Sequence, residues 1–117
     1  MATVTPTPTR IREGESMLYA WTLTQADASG ASIDAHEYGD RTVQISGVFD
    51  GATVVLQGSN DGAAWFSLTD PQGNAISKNT DAMETVMEVP LYTRGTSSGG
   101  GASQSVTISL FCRRTRR

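Results

Sequence analysis

Alternation with a period of two dominates this chain, and a helical stripe appears nowhere along it. Met17, Tyr19, Trp21 and Leu23 fall on one side of a strand, with Leu18, Ala20 and Thr22 on the other. From Thr42 to Phe49, Val43, Ile45, Gly47 and Phe49 face one way while Thr42, Gln44 and Ser46 face the other. Thr53 to Gly58 sets Val54 and Leu56 against Val55 and Gln57. Ala64 to Thr69 forms a further strand carrying Trp65 and Phe66, and Glu84 to Val89 another. The latter stops at Pro90, which cannot donate to a central ladder, and Leu91 to Arg94 continues it. Ser105 to Cys112 places Val106, Ile108, Leu110 and Cys112 on the core face; Phe111 points outward with Thr107 and Ser109, unless a partner covers it.

Turn chemistry separates these strands. Asp50-Gly51 reads as a tight turn, because glycine takes the positive φ that hairpin turns require. Ser59-Asn60-Asp61-Gly62 closes a second turn as the tip of a hairpin, with Trp65 expected to anchor the returning strand in the core. In Asp70-Pro71-Gln72-Gly73-Asn74, Pro71 fixes φ at the second position, and Gly73 or Asn74 takes the left-handed one. Gln25 to Asp34 reads as a small-residue loop, and Gly95 to Gln104 as a flexible one. Roughly seven or eight short strands at near-regular spacing predict an all-β antiparallel sandwich, jelly-roll-like in type.

The ends depart from this pattern. Thr5-Pro6-Thr7-Pro8-Thr9 is polyproline-prone with nothing to bury, so residues 1–15 are expected to form an extended N-terminal arm. Residues 16–112 form the sandwich, and residues 113–117 a basic C-terminal tail.

Composition sharpens the picture. A length of 117 residues leaves room for one domain and one core, and 38% hydrophobic residues is ordinary for a globular chain. The net charge of -3 hides an asymmetry: Arg113, Arg114, Arg116 and Arg117 crowd the end of an otherwise acidic chain whose only lysine is Lys78. An acidic body argues against a nucleic-acid-binding face, and arginines without an aromatic stacking partner are weak evidence for one in the tail. Cys112 is the only cysteine, so no intramolecular disulfide can form. No basic, apolar start resembles a signal peptide, and no apolar run reaches the length of a membrane span. The expectation is a chain kept in a reducing cytoplasm, or assembled there into something larger.

Little catalytic chemistry emerges. His36 is the only histidine, which excludes a histidine-pair metal site within one chain and leaves a surface or loop residue as its simplest reading. Cys112, at a core position, reads as a small inert hydrophobe. Asp50, Asp61, Asp70 and Asp81 sit at turns, where aspartates usually cap their own backbone rather than bind calcium. Ser97 to Gly101 lacks the lysine and helix of a phosphate loop. No enzyme, cofactor or metal site is expected.

The stretch from Val43 to Trp65 resembles small structural proteins of tailed bacteriophages. The likeness lies in a Gly-x-Phe strand (Gly47 to Phe49), a Gly-Ala-Thr-Val strand (Gly51 to Val54) and a Gly-Ser-Asn-Asp-Gly-x-x-Trp hairpin (Gly58 to Trp65). Leu68 to Gly73, Tyr92-Thr93-Arg94, the glycines of Ser98 to Gly101, and the last alternating strand ending in arginines extend it over roughly Arg41 to Arg114. The resemblance implies a capsid decoration, or cement, protein: a non-enzymatic virion component on the outer capsid surface, assembled in the host cytoplasm. Its partners would be the major capsid protein and further copies of itself, a dimer being favoured over a trimer, with no nucleic acid and no membrane. On that reading the termini and an exposed apolar residue contact partners, through Thr5, Pro6, Pro8, Arg10, Arg12, Phe111, Arg113, Arg114, Arg116 and Arg117. The Ser-Asn-Asp-Gly-x-x-Trp hairpin also resembles discoidin-type sandwiches, which keeps a carbohydrate- or host-surface-binding module open, as well as a phage tail or baseplate component.

Overall fold

A strand that is apolar on every second residue buries that side only against a second layer, and here two sheets supply it to each other. The computed structural model describes residues 3–12, 16–35 and 37–114, and among them twelve strands and no helix. One sheet has five antiparallel strands in the order β10 (Ala82–Thr85), β6 (Asp40–Val48), β12 (Ser105–Arg113), β3 (Ser16–Thr24) and β2 (Thr7–Arg12). The other has seven, with β1 (Thr3–Val4), β4 (Ser29–Gly30), β11 (Tyr92–Ser98), β7 (Thr53–Ser59) and β8 (Phe66–Ser67) in order. Within it, β5 (Ile33–Asp34) also pairs with β11, and β9 (Ser77–Lys78) with β7. The protein is an all-β sandwich.

The core follows the alternation. Trp21 and Leu23 of β3, Val43 and Ile45 of β6, and Val106, Ile108 and Leu110 of β12 are buried from one side. Val54 and Leu56 of β7, with Leu68 and Ile76, meet them from the other. At Asp50-Gly51 the Phe49 carbonyl accepts the Ala52 N–H at 2.8 Å, with φ of 48° at Asp50 and 85° at Gly51. The turn is as tight as expected, yet it is not a hairpin. β6 and β7 lie in different sheets, so it carries the chain across the core.

Four expectations need correction. The Thr-Pro segment is extended, but it is not an arm free of the domain: β1 pairs with β4 in one sheet and β2 with β3 in the other. Thr5-Pro6 therefore crosses between the sheets along one side of the sandwich, and Pro6 is buried there. The basic tail likewise begins inside the sheet, because Arg113 is the last residue of β12. Gly95 to Gln104 is not all loop, since β11 continues to Ser98 with Thr93, Gly95 and Ser97 facing inward. Its inner face is small and polar: Gly95 makes room for Ile108, where a Cβ would lie 2.3 Å from the Ile108 Cδ1. Ser97 accepts the Gln104 amide at 2.8 Å. The expected loop from Gln25 to Asp34, finally, contains β4 and β5.

The outer face of the five-stranded sheet has a composition of its own. Across the strands, Thr9, Leu18, Phe111, Thr42 and Thr85 stand side by side in one row. Thr7, Ala20, Ser109, Gln44 and Met83 form the next. Thr22, Thr107 and Ser46 follow, then Thr24, Ser105 and Val48. No residue in these four rows carries a charge, and the charges of this face lie in the row beyond Phe111, at Arg113 and Asp40. The outer face of the other sheet differs, with Arg94 two residues on from Tyr92 in β11 and Asp34 opposite Tyr92 in β5.

Candidate functional site

Two features share one end of the sandwich: the hairpin tip after β7, and the ends of β2, β6 and β12. They meet there because Ser59 pairs with Tyr92 while Arg41, next to Asp40, reaches Thr93.

The tip is built from its own polar groups. The buried Ser59 hydroxyl donates to Asp61 Oδ1 at 2.9 Å and accepts the Gly62 N–H at 2.9 Å. Asp61 Oδ1 also accepts the Ala63 and Ala64 N–H groups at 2.8 and 2.9 Å. These backbone donors, with Ser59, hold the Asp61 carboxyl below its usual range. The Asn60 side chain accepts the Leu91 N–H at 2.9 Å and ties the loop to the start of β11. Gly62 takes a φ of 76°, which a side chain would strain. Trp65 does not enter the core as expected. It lies half-buried on the outer side, its ring covered by the Arg94 guanidinium at 4.1 Å, and Arg94 Nε donates to Gln57 at 2.9 Å. The returning strand is correspondingly short, with only Phe66–Ser67 paired to β7.

A groove of about 550 Å³ runs between this tip and the Glu88–Pro90 segment. Phe66, 69% exposed, and Val89 supply its apolar wall, and Asp61 and Glu88 its acidic groups. Both carboxylates are already engaged. Glu88 accepts the Thr69 N–H at 2.8 Å and the Thr69 hydroxyl as well. Burial pushes its carboxyl up, but the Thr69 bonds outweigh that and leave it below the usual range.

At the same end, the sheet register sets Arg12, Ser16, Arg113 and Asp40 in one row across β2, β3, β12 and β6. The strand ends that carry Arg12 and Arg113 thus share a row, although the two residues lie far apart along the chain. Arg113 pairs with Asp40 at 3.3 Å and Arg114 with Glu37 at 3.2 Å, both on the surface. Phe111 is half-buried and, with Arg113, Asp40 and Val86, lines a cleft of about 310 Å³. Of the other expected contact residues, Thr5, Pro8 and Arg10 are exposed, whereas the buried Pro6 is unavailable to a partner. Arg116 and Arg117 lie outside the described residues, as does His36.

Arg41 is the residue that sequence reasoning passed over. It is buried, and its guanidinium donates to the Tyr38 carbonyl at 3.0 Å, the Ala35 carbonyl at 2.5 Å and the Thr93 hydroxyl at 2.9 Å. Burial pulls its pKa down, and the neighbouring Cys112, Tyr19 and Asp34 partly offset that. The signal was present: Val43 and Ile45 face inward, and Arg41 shares their parity. Cys112 is fully buried, and burial pushes its thiol up to about 11 against a smaller opposing pull from Arg41. Its thiolate is therefore scarce at neutral pH, and a nucleophilic role is disfavoured.

The turn aspartates divide into two kinds. Asp61 and Asp70 cap their own loops, Asp70 Oδ1 accepting the Gln72 and Asn74 N–H groups at 2.9 and 3.0 Å. Asp50 and Asp81 instead clasp distant segments, accepting the Ser103 and Gly47 N–H groups at 3.0 and 3.2 Å. Among the described residues no group of three or more histidine, cysteine, aspartate or glutamate side chains is placed to hold a metal ion. No helix among them is long and apolar enough to cross a membrane. No protein-family model matches this chain, and no curated protein matches it.

Proposed function

We propose that this chain is a non-enzymatic virion component that binds the outside of a phage capsid and stabilises it, partnered by the major capsid protein and by other copies of itself. The observation that carries the reading is where the resembling motifs fall. Gly47 to Phe49 leads into the arch at Asp50-Gly51, Gly58 to Trp65 forms the self-bonded tip, and Leu68 to Gly73 forms the Asp70 turn. Each is a joint of the sandwich, as expected of a motif that marks a structural module. The strand order supports the same reading: β3, β12, β6 and β10 lie in one sheet and β4 with β5, β11, β7, and β8 with β9 in the other. The chain changes sheet at most connections, which supports reading the sandwich as jelly-roll-like.

A shell gains from such a clamp because weak contacts repeat by symmetry. The end bearing Arg113 and Arg114 is the candidate shell contact. Mass spectrometry of separated heads and tails tests the reading directly. Recovery with heads, at occupancy reduced by Arg113→Glu together with Arg114→Glu, is the expected result. Recovery with tails, or binding on a glycan array without binding to heads, would overturn it.

A further inference from the structure

We infer that the outer face of the five-stranded sheet, uncharged over four successive rows, is a self-association surface, on which two copies of this chain stack face to face about a two-fold axis. This rests on the oligomeric part of the function proposed above and names its surface. Charge comes first. Two copies of a chain with net charge -3 repel, and repulsion is least where neither copy presents an ionised group. The four rows from Thr9–Thr85 to Thr24–Val48 meet that condition, and the charges of this face are confined to its end row, where Arg113 and Asp40 pair with each other, whereas the other sheet presents Arg94 and Asp34.

Chemistry and size agree. Threonine and serine hydroxyls both donate and accept, so rows rich in them can hydrogen-bond to their own copy, as an isologous interface demands. Leu18, Phe111, Val48 and the 62%-exposed Met83 add apolar area among them. With strands ~4.8 Å apart and a rise of ~3.4 Å per residue, the face spans about 550 Å² per copy. Two copies then bury on the order of 1,100 Å² or more, just above the ~1,000 Å² at which specific interfaces begin. A second layer of sheet is also the natural cover for a sheet face, at the ~10 Å separation of sandwich cores.

Full overlap of two identical faces puts the middle of β12, at Thr107 and Ser109, near the axis. Analytical ultracentrifugation of the full chain and of Ser109→Glu and Ser109→Lys variants tests this. The wild type is expected to sediment as a dimer at tens of micromolar. Each variant is expected to be monomeric with an unchanged far-ultraviolet spectrum, and an equimolar mixture of the two to regain dimer. Gln57→Glu, on the opposite sheet, should leave the dimer intact and serves as the control. A monomeric wild type, or dimeric Ser109→Glu, would overturn the inference; should the Ser109 variants misfold, Thr107→Lys replaces them under the same criteria. Head binding is scored separately. A monomer that still occupies heads would sink this inference and spare the capsid reading, and a dimer that ignores heads would do the reverse.

Discussion

Arg41 shows how one side chain can hold a polar layer inside an apolar sandwich. It fastens the carbonyls of Ala35 and Tyr38 to β6 and reaches across to Thr93 of the opposite sheet. Truncation would leave the Ala35 and Tyr38 carbonyls and the Thr93 hydroxyl without this donor, so Arg41→Ala is expected to cost about 3 kcal/mol, read as a lower urea midpoint. Cys112 carries a pH signature. Its folded pKa, about 11, lies above its ordinary value of 9.0, so its contribution to stability is complete below pH 9 and is lost as the pH rises towards 11. Cys112→Ala should flatten that part of the stability profile relative to wild type, in denaturant titrations between pH 8 and 11. Both residues were legible by parity once their strands were placed. Trp65 was not, because ring size signals burial without saying whether a sheet or an arginine provides it.

At the scale of elements, β3, β6, β7 and β12 were readable because large aliphatic and aromatic residues alternate along them. The strands that went unread lack that signal. β11 buries threonine, glycine and serine, whose burial comes from hydrogen bonds and from the space left for Ile108. β1, β4 and β5 are defined by backbone pairing with distant partners, which local composition does not encode, and β2 by pairing with β3 through Thr-Pro residues that carry no apolar alternation. The candidate site was legible in its residue types and illegible in its geometry, since only the register of β2, β3 and β12 unites the two termini. The same register predicts that deleting residues 1–6 removes β1 and the buried Pro6 crossing. The expected outcome is a thermal midpoint lowered by roughly 4 °C or more, in scanning calorimetry. Gly47→Ala should destabilise as well: at a φ of 133° a Cβ would stand 2.3 Å from the Ser105 carbonyl oxygen. A loss of about 2 kcal/mol is expected from chemical denaturation.

For the whole molecule, charge is segregated rather than merely unbalanced. Arg113 and Arg114, at the end of β12, pair with Asp40 and Glu37 at one end, while four rows across the rest of that sheet face carry no charge. The two surfaces should therefore respond differently to salt. Raising sodium chloride from 0.05 to 1 M is expected to leave the sedimentation of the dimer unchanged, and to weaken capsid occupancy mediated by Arg113 and Arg114 several-fold.

The position of β12 has a further consequence, for the time at which this fold can exist. The last strand of the chain sits between β3 and β6, so the five-stranded sheet is two unconnected halves until residues 105–113 arrive. A ribosome-bound chain lacking that strand exposes the inner edges of β3 and β6 together, each able to pair with a stranger. Folding of this sheet thus waits for β12. Pulse proteolysis of stalled nascent chains should find protection only once Arg113 has cleared the exit tunnel.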